Sequence, residues 1–123
     1  SAAPSPDGAH VAYCTGQLRD PALFVFGGAG EGKRTAVGKG AHPAWLPGGR
    51  LLVYTLPEAD GTGRVVSSEL YVFDVKEGLS GRLTDTPGIV EMQPAISPDG
   101  RSVAFSDWKS GAIMVAPLME AAP

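Results

Sequence analysis

Cysteine is almost absent. Cys14 stands alone in 123 residues, so no intrachain disulfide framework exists. It sits in the apolar run Val11-Ala12-Tyr13-Cys14, where a small core residue is expected rather than a nucleophile. Long hydrophobic runs are missing too. The longest, Ala22 to Phe26 and Ala112 to Leu118, fall far short of the roughly 20 residues a membrane span needs. There is no excess of positive charge: 10 Lys and Arg face 13 Asp and Glu, for a formal net charge of −3. Nucleic-acid binders need a basic face to neutralise phosphates, so no nucleic-acid partner is expected. The first residues lack a basic start followed by an apolar core, so no signal peptide is expected. Ser1 in place of Met is expected of a processed or excised chain.

Glycine and proline, by contrast, are abundant, at 17 and 11 residues. Inside a helix Gly costs about 1 kcal/mol and Pro about 3, so a helical bundle is excluded. An all-β, turn-rich chain is expected, and the 43% hydrophobic content suits a globular one.

The sequence repeats itself. Ser5-Pro6-Asp7-Gly8 recurs as Ser97-Pro98-Asp99-Gly100, with a degenerate copy, Leu46-Pro47-Gly48-Gly49, between them. Their prolines are 41 and 51 residues apart. Before the turns stand Ala3, Pro43-Ala44-Trp45 and Pro94-Ala95-Ile96. After them come His10-Val11-Ala12-Tyr13, Leu51-Leu52-Val53-Tyr54 and Ser102-Val103-Ala104-Phe105. A later apolar run also repeats, as Leu23-Phe24-Val25-Phe26, Leu70-Tyr71-Val72-Phe73 and Ile113-Met114-Val115. Arg82-Leu83-Thr84 closes the second copy, and Arg34 to Val37 is its weaker counterpart in the first.

Each piece fits a strand-turn-strand unit. Pro pre-sets φ in the turn, Asp tolerates the next position, and Gly accepts the positive φ that a tight reversal needs. The flanking runs carry the Val, Leu, Tyr and Phe that strands prefer. Each unit therefore reads as strands A to D, the period of a propeller blade. The expected blades are about 1–40, 41–90 and 91–118, the last without its outer strand. The extra length of the second is expected as a B–C loop over 57–68, whose part Glu58 to Arg64 serves either as a binding loop or as a linker.

The run Pro-x-[Trp/Ile]-Ser-Pro-Asp-Gly-x-x-[Val/Ile]-Ala-[Phe/Tyr], then Leu-Tyr-Val-Phe-Asp, then Arg-Leu-Thr, resembles the TolB-type, WD-repeat-like β-propeller repeat from Ala3 to Leu118. The resemblance implies a non-catalytic scaffold for protein–protein interaction in the periplasm or cell envelope, with no cofactor. The same repeat occurs in propellers of prolyl-oligopeptidase-like and tricorn-like proteases and of polysaccharide lyases. The alternative is thus a propeller domain that positions a peptide or sugar for a larger enzyme.

Three blades do not close a ring, since a propeller needs roughly four to eight. Either the chain is part of a longer propeller or copies assemble, and a homodimer would supply six blades, the number found in TolB-type propellers. The longer propeller is favoured, because strand A starts almost at Ser1 and leaves no spare strand to complete the third blade. The partner is then the remainder of the same propeller or another protein.

Several residues are candidates for chemistry. His42 and Gln93 share one repeat position, just before the Pro of strand A, with Ser1 as the first-blade equivalent. In this fold strand A is innermost, which places both at the channel mouth as ligand contacts. The resemblance to the lyases implies metal-holding residues there, although one His and one Gln fall short of the usual three ligands. Trp108, in the polar stretch Ser106 to Gly111, either forms an exposed contact surface or folds back on strand B or C. Trp45 is expected to pack between blades. Gly27 to Arg34 nearly matches a phosphate-binding P-loop, but Arg34 stands where a hydroxyl is needed and no helix can follow. A C–D hairpin loop is expected instead. Asp7 and Asp99 are expected to bond their own turns. No Gly-x-Ser-x-Gly elbow is present, and no catalytic residue is assigned.

Overall fold

The computed structural model describes residues 2–17, 19–27, 34–85 and 89–118. Ser1 and residues 28–33, the bulk of the P-loop-like segment, lie outside them.

The described residues form three antiparallel sheets in chain order. The first contains β1 (Ala2–Pro4), β2 (His10–Thr15), β3 (Ala22–Gly27) and β4 (Arg34–Lys39). The second contains β5 (Ala41–Trp45), β6 (Leu51–Ala59), β7 (Val65–Asp74) and β8 (Leu79–Arg82). The third contains β9 (Glu91–Ile96), β10 (Ser102–Asp107) and β11 (Ile113–Pro117). Within each sheet every strand pairs with its sequence neighbours, so each is a simple meander, and an isolated parallel bridge from Ser68 to Val90 links the second blade to the third.

The turn sequences build matching geometry. Ser5 Oγ donates to Asp7 Oδ1 at 2.5 Å and accepts the His10 N–H at 3.0 Å. Ser97 repeats both bonds, to Asp99 at 2.6 Å and from the Ser102 N–H at 3.0 Å. Gly8 and Gly100 close the two turns at φ 75 and 73. The middle copy has no such side chains. There Gly48, in the place of Asp, itself takes φ 96, as a type II turn demands at that position.

The sheets stack face to face through repeat-equivalent residues. Ala12, Leu23 and Val25 of the first sheet meet Trp45, Leu52, Tyr54 and Phe73 of the second. Val53 and Leu70, on the second sheet's other face, meet Val103 and Phe105 of the third. Trp45 packs between blades as expected: it is buried, its Nε1–H donates to the Ala3 carbonyl at 2.8 Å, and its ring lies 5.9 Å from that of His10. The first strands form the inner edge of the wedge, with β1 against β5 and β5 against β9.

Two sequence expectations need correction. The stretch expected as a loop over 57–68 is mostly hairpin, because β6 and β7 stay paired through Pro57↔Ser68 and Ala59↔Val65. Pro57 sits beyond the last β5 partner of β6, the Ala41↔Thr55 pair, so that part of β6 has one neighbour and tolerates a missing N–H. The outer strand of the second blade is Leu79–Arg82, earlier than Arg82-Leu83-Thr84. Leu83 and Thr84 leave the ladder but still donate their N–H groups to the Leu70 carbonyl, at 2.8 and 3.3 Å.

Candidate functional site

The starts of the first strands and the B–C connections share one end of the stack. Ala41 pairs with Thr55 and Glu91 with Asp107, so each A strand begins beside the far part of its B strand, which in β6 continues past Thr55 to Ala59. This end carries His42, Gln93 and Trp108, while the Ser-Pro-Asp-Gly turns occupy the other.

His42 and Gln93 are the positive-φ non-glycine residues among those described, both at φ 51. Each falls within a break in strand register, between Ala41 and Ala44 and opposite the Ala104–Ser106 step. The bulge turns the residue before the proline out of the alternating pattern. His42 Nδ1 lies 3.1 Å from Thr55 Oγ1, and the Thr55 hydroxyl donates to the Ala41 carbonyl at 3.1 Å. The hydroxyl proton is thereby committed, so Oγ1 accepts from His42 Nδ1–H and Nε2 keeps its lone pair. Burial pushes the imidazole pKa down, which favours this neutral form. Gln93 is exposed. Ser1, their first-blade equivalent, lies outside the described residues. No group of three His, Cys, Asp or Glu side chains gathers among the described residues, and a lone imidazole with an exposed amide does not fit a metal centre.

Trp108 is 61% exposed, and its backbone N–H donates to Val90 at 2.9 Å. The ring therefore forms surface instead of folding onto strand B or C. It lines an open groove of about 440 Å³ together with Gln17, Arg19, Gly63, Arg64 and Val65. These residues come from the B–C connections of all three sheets. The turn at the hairpin tip is held by Asp60, whose Oδ1 accepts the N–H groups of Thr62 and Arg64 at 2.9 and 3.1 Å and the Thr62 hydroxyl at 2.6 Å. The Thr62 hydroxyl and these backbone donors hold the Asp60 carboxyl below its usual pKa.

Sequence reasoning missed Arg19 and Arg64, which lie far apart in the chain and come to line one groove only when the blades stack. It also missed a buried polar knot between the second and third sheets. There the Thr84 hydroxyl accepts the Leu70 N–H at 2.8 Å and lies 3.1 Å from Glu69 Oε1 and 3.0 Å from Glu91 Oε2. Arg82 donates to Glu69 Oε2 at 2.9 Å. The Arg82-Leu83-Thr84 piece that closes the second copy was its signal. Asp7 and Asp99 act on their own turns, as expected.

No protein-family model matches the chain. A curated relative, a protein TolB homolog of Chlorobium chlorochromatii (strain CaD3), is 37% identical over 104 residues. The chain is built of TolB-type β-propeller repeats. The match takes in 82% of this TolB-type segment but 22% of the relative. Among solved structures, the tricorn protease superposes on the whole segment with a TM-score of 0.70 at 15% identity, over 14% of its own chain. The β-propeller domain of the Trilobed protease from Pyrococcus furiosus, described as having an open velcro topology, covers 97% of the segment at a TM-score of 0.60 and 13% identity, over 43% of that domain. At such identities the likeness is one of fold. The three sheets are blades of a partial β-propeller.

Proposed function

We propose that the segment is a non-catalytic propeller scaffold for protein–protein interaction in the cell envelope. The observation that carries this is the convergence of three B–C connections on one solvent-open groove with an exposed indole and two guanidiniums. Trp and Arg dominate the energetics of protein interfaces, and loops on a rigid scaffold are where binding residues concentrate. The likeness to a TolB homolog supports the envelope as its place.

The remainder of the same propeller is the natural partner of the two end faces. Leu23 and Leu70 are fully buried in the interfaces between blades, whereas their third-blade counterpart Ile113 is 72% exposed. Val115 is 70% exposed, against a buried Val25. At the other end Phe26 is 46% exposed while its equivalent Phe73 is buried. Both ends thus carry the pattern that receives a further blade, and such edges invite association.

The groove is tested by placing a photo-cross-linking amino acid, p-benzoylphenylalanine, at Gly61, where a side chain meets nothing within 4 Å. Lys76, on the opposite end, is the control position. In envelope extract from the producing cells, discrete protein adducts are expected from position 61 and none from 76. No adduct at 61, or the same adducts at both, contradicts the proposal.

A further inference from the structure

We propose that the groove between the B–C connections docks an acidic peptide segment, with Arg19 and Arg64 pairing its carboxylates and Trp108 covering one of its apolar side chains. This rests on the protein-binding function above and gives the partner its chemistry.

Among the described residues the two arginines enter no ion pair. Arg50 is held by Asp74 at 2.8 Å, Arg82 by Glu69 at 2.9 Å, and Arg34 lies 4.5 Å over the Phe24 ring. Arg19 and Arg64 have no carboxylate within 4.0 Å among the described residues. Asp60, the acidic residue nearest Arg64 in sequence, feels the Arg64 charge but spends Oδ1 on its own turn and forms no ion pair with it within 4.0 Å. Arg19 is laid across the tip of the second blade's hairpin: its Cδ and Nη1 are each 3.4 Å from where a Cβ on Gly63 would stand. Both cations therefore line one groove although they belong to different blades. A guanidinium stays charged at every relevant pH and grips a carboxylate through two parallel N–H bonds.

The rest of the groove sets the other half of the chemistry. Val65 is buried and gives an apolar floor, and the exposed Trp108 gives an apolar wall. A ligand that satisfies both needs carboxylates beside an aromatic or aliphatic side chain. A nucleic acid fits poorly, since only two cations line the groove and the chain carries a net charge of −3.

The test uses the 123-residue chain and a fluorescein-labelled octapeptide, Glu-Glu-Phe-Glu-Glu-Phe-Glu-Glu, followed by fluorescence polarisation. The glutamate peptide is expected to bind at least about tenfold tighter than its all-glutamine counterpart, and the double variant R19Q/R64Q to erase that difference. W108A is expected to weaken both peptides about tenfold, and R101Q, which removes an arginine outside the groove, to change nothing. Equal binding of the two peptides, an unchanged R19Q/R64Q, an equal loss in R101Q, or displacement of the peptide by an equimolar oligodeoxythymidine overturns the assignment. If position 61 still captures a protein and R19Q/R64Q leaves that capture intact, the acidic-peptide assignment fails alone. If position 61 captures nothing, the scaffold function fails.

Discussion

His42 and Gln93 hold the same left-handed backbone, φ 51 in each, although they lie in different blades and share no side-chain chemistry. The conformation belongs to the repeat position. Each residue precedes a proline inside a bulge at the start of an inner strand, and the surrounding sheet holds it there against a cost of about 1–2 kcal/mol.

Gln93 separates the strain from any side-chain bond, because it is exposed and, among the described residues, makes no side-chain hydrogen bond like that of His42. Gln93→Gly is expected to keep stability within about 0.5 kcal/mol, as relief of strain offsets lost chain entropy. Gln93→Val is expected to lose about 1–2 kcal/mol, because a β-branched side chain suits a positive φ worst. Urea denaturation reads both, and a Val variant as stable as the parent contradicts the strain.

Gly8 and Gly49 form a matched pair that isolates blade packing. Both have φ 75. A Cβ on Gly8 meets nothing within 4 Å, whereas one on Gly49 stands 2.8 Å from Asp7 Oδ1 in the neighbouring blade. Gly8→Ala therefore carries backbone strain alone, about 1 kcal/mol. Gly49→Ala adds a collision with a carboxylate that Ser5 holds in place, and is expected to cost about 1 kcal/mol more. Equal losses in the two variants show that the turns of adjacent blades do not touch.

Acid stability has two limbs with different owners. The Ser5 hydroxyl and the Ala9 N–H lower the Asp7 pKa below the usual 3.8, and the Ser97 hydroxyl and the Arg101 N–H do the same for Asp99. A lowered carboxyl pKa stabilises the fold above about pH 4, and that contribution disappears as pH falls through the folded-state value. His42 is lowered from the usual 6.5 by burial, so acidification below about pH 6.5 protonates the unfolded chain first and destabilises the fold. In thermal unfolding from pH 8 to pH 2, His42→Gln is expected to flatten the upper limb, and Asp7→Asn with Asp99→Asn to reduce the lower one, which Asp60, Asp74 and Asp107 share. A histidine variant with an unchanged profile from pH 7 to 5 contradicts the assignment.

The fold was legible because a turn is local chemistry. Pro, Asp and Gly at fixed offsets dictate a reversal wherever they occur, and three copies reveal the blade period. Trp45 was legible for the same reason, as its repeat position marks an inner strand. The hairpin past Thr55 was not: Pro57 and the polar residues around it suit a loop, and only the absence of a second neighbour makes them tolerable in a strand. The groove was half legible. Trp108 stood out as an aromatic in a polar stretch, but the meeting of Arg19 with Gly63 and Arg64 depends on the angle between blades, which no local pattern encodes.

The stack and its exposed end are tested together by the two indole N–H signals in a ¹H–¹⁵N spectrum recorded after transfer to D₂O. Trp45 Nε1–H is buried between blades on the Ala3 carbonyl at 2.8 Å, whereas the Trp108 ring is 61% exposed. One indole signal is expected to persist long after the other has exchanged, and Trp45→Phe to remove the persistent one. Simultaneous loss of both signals, or disappearance of the fast one in Trp45→Phe, contradicts the stacked-blade account.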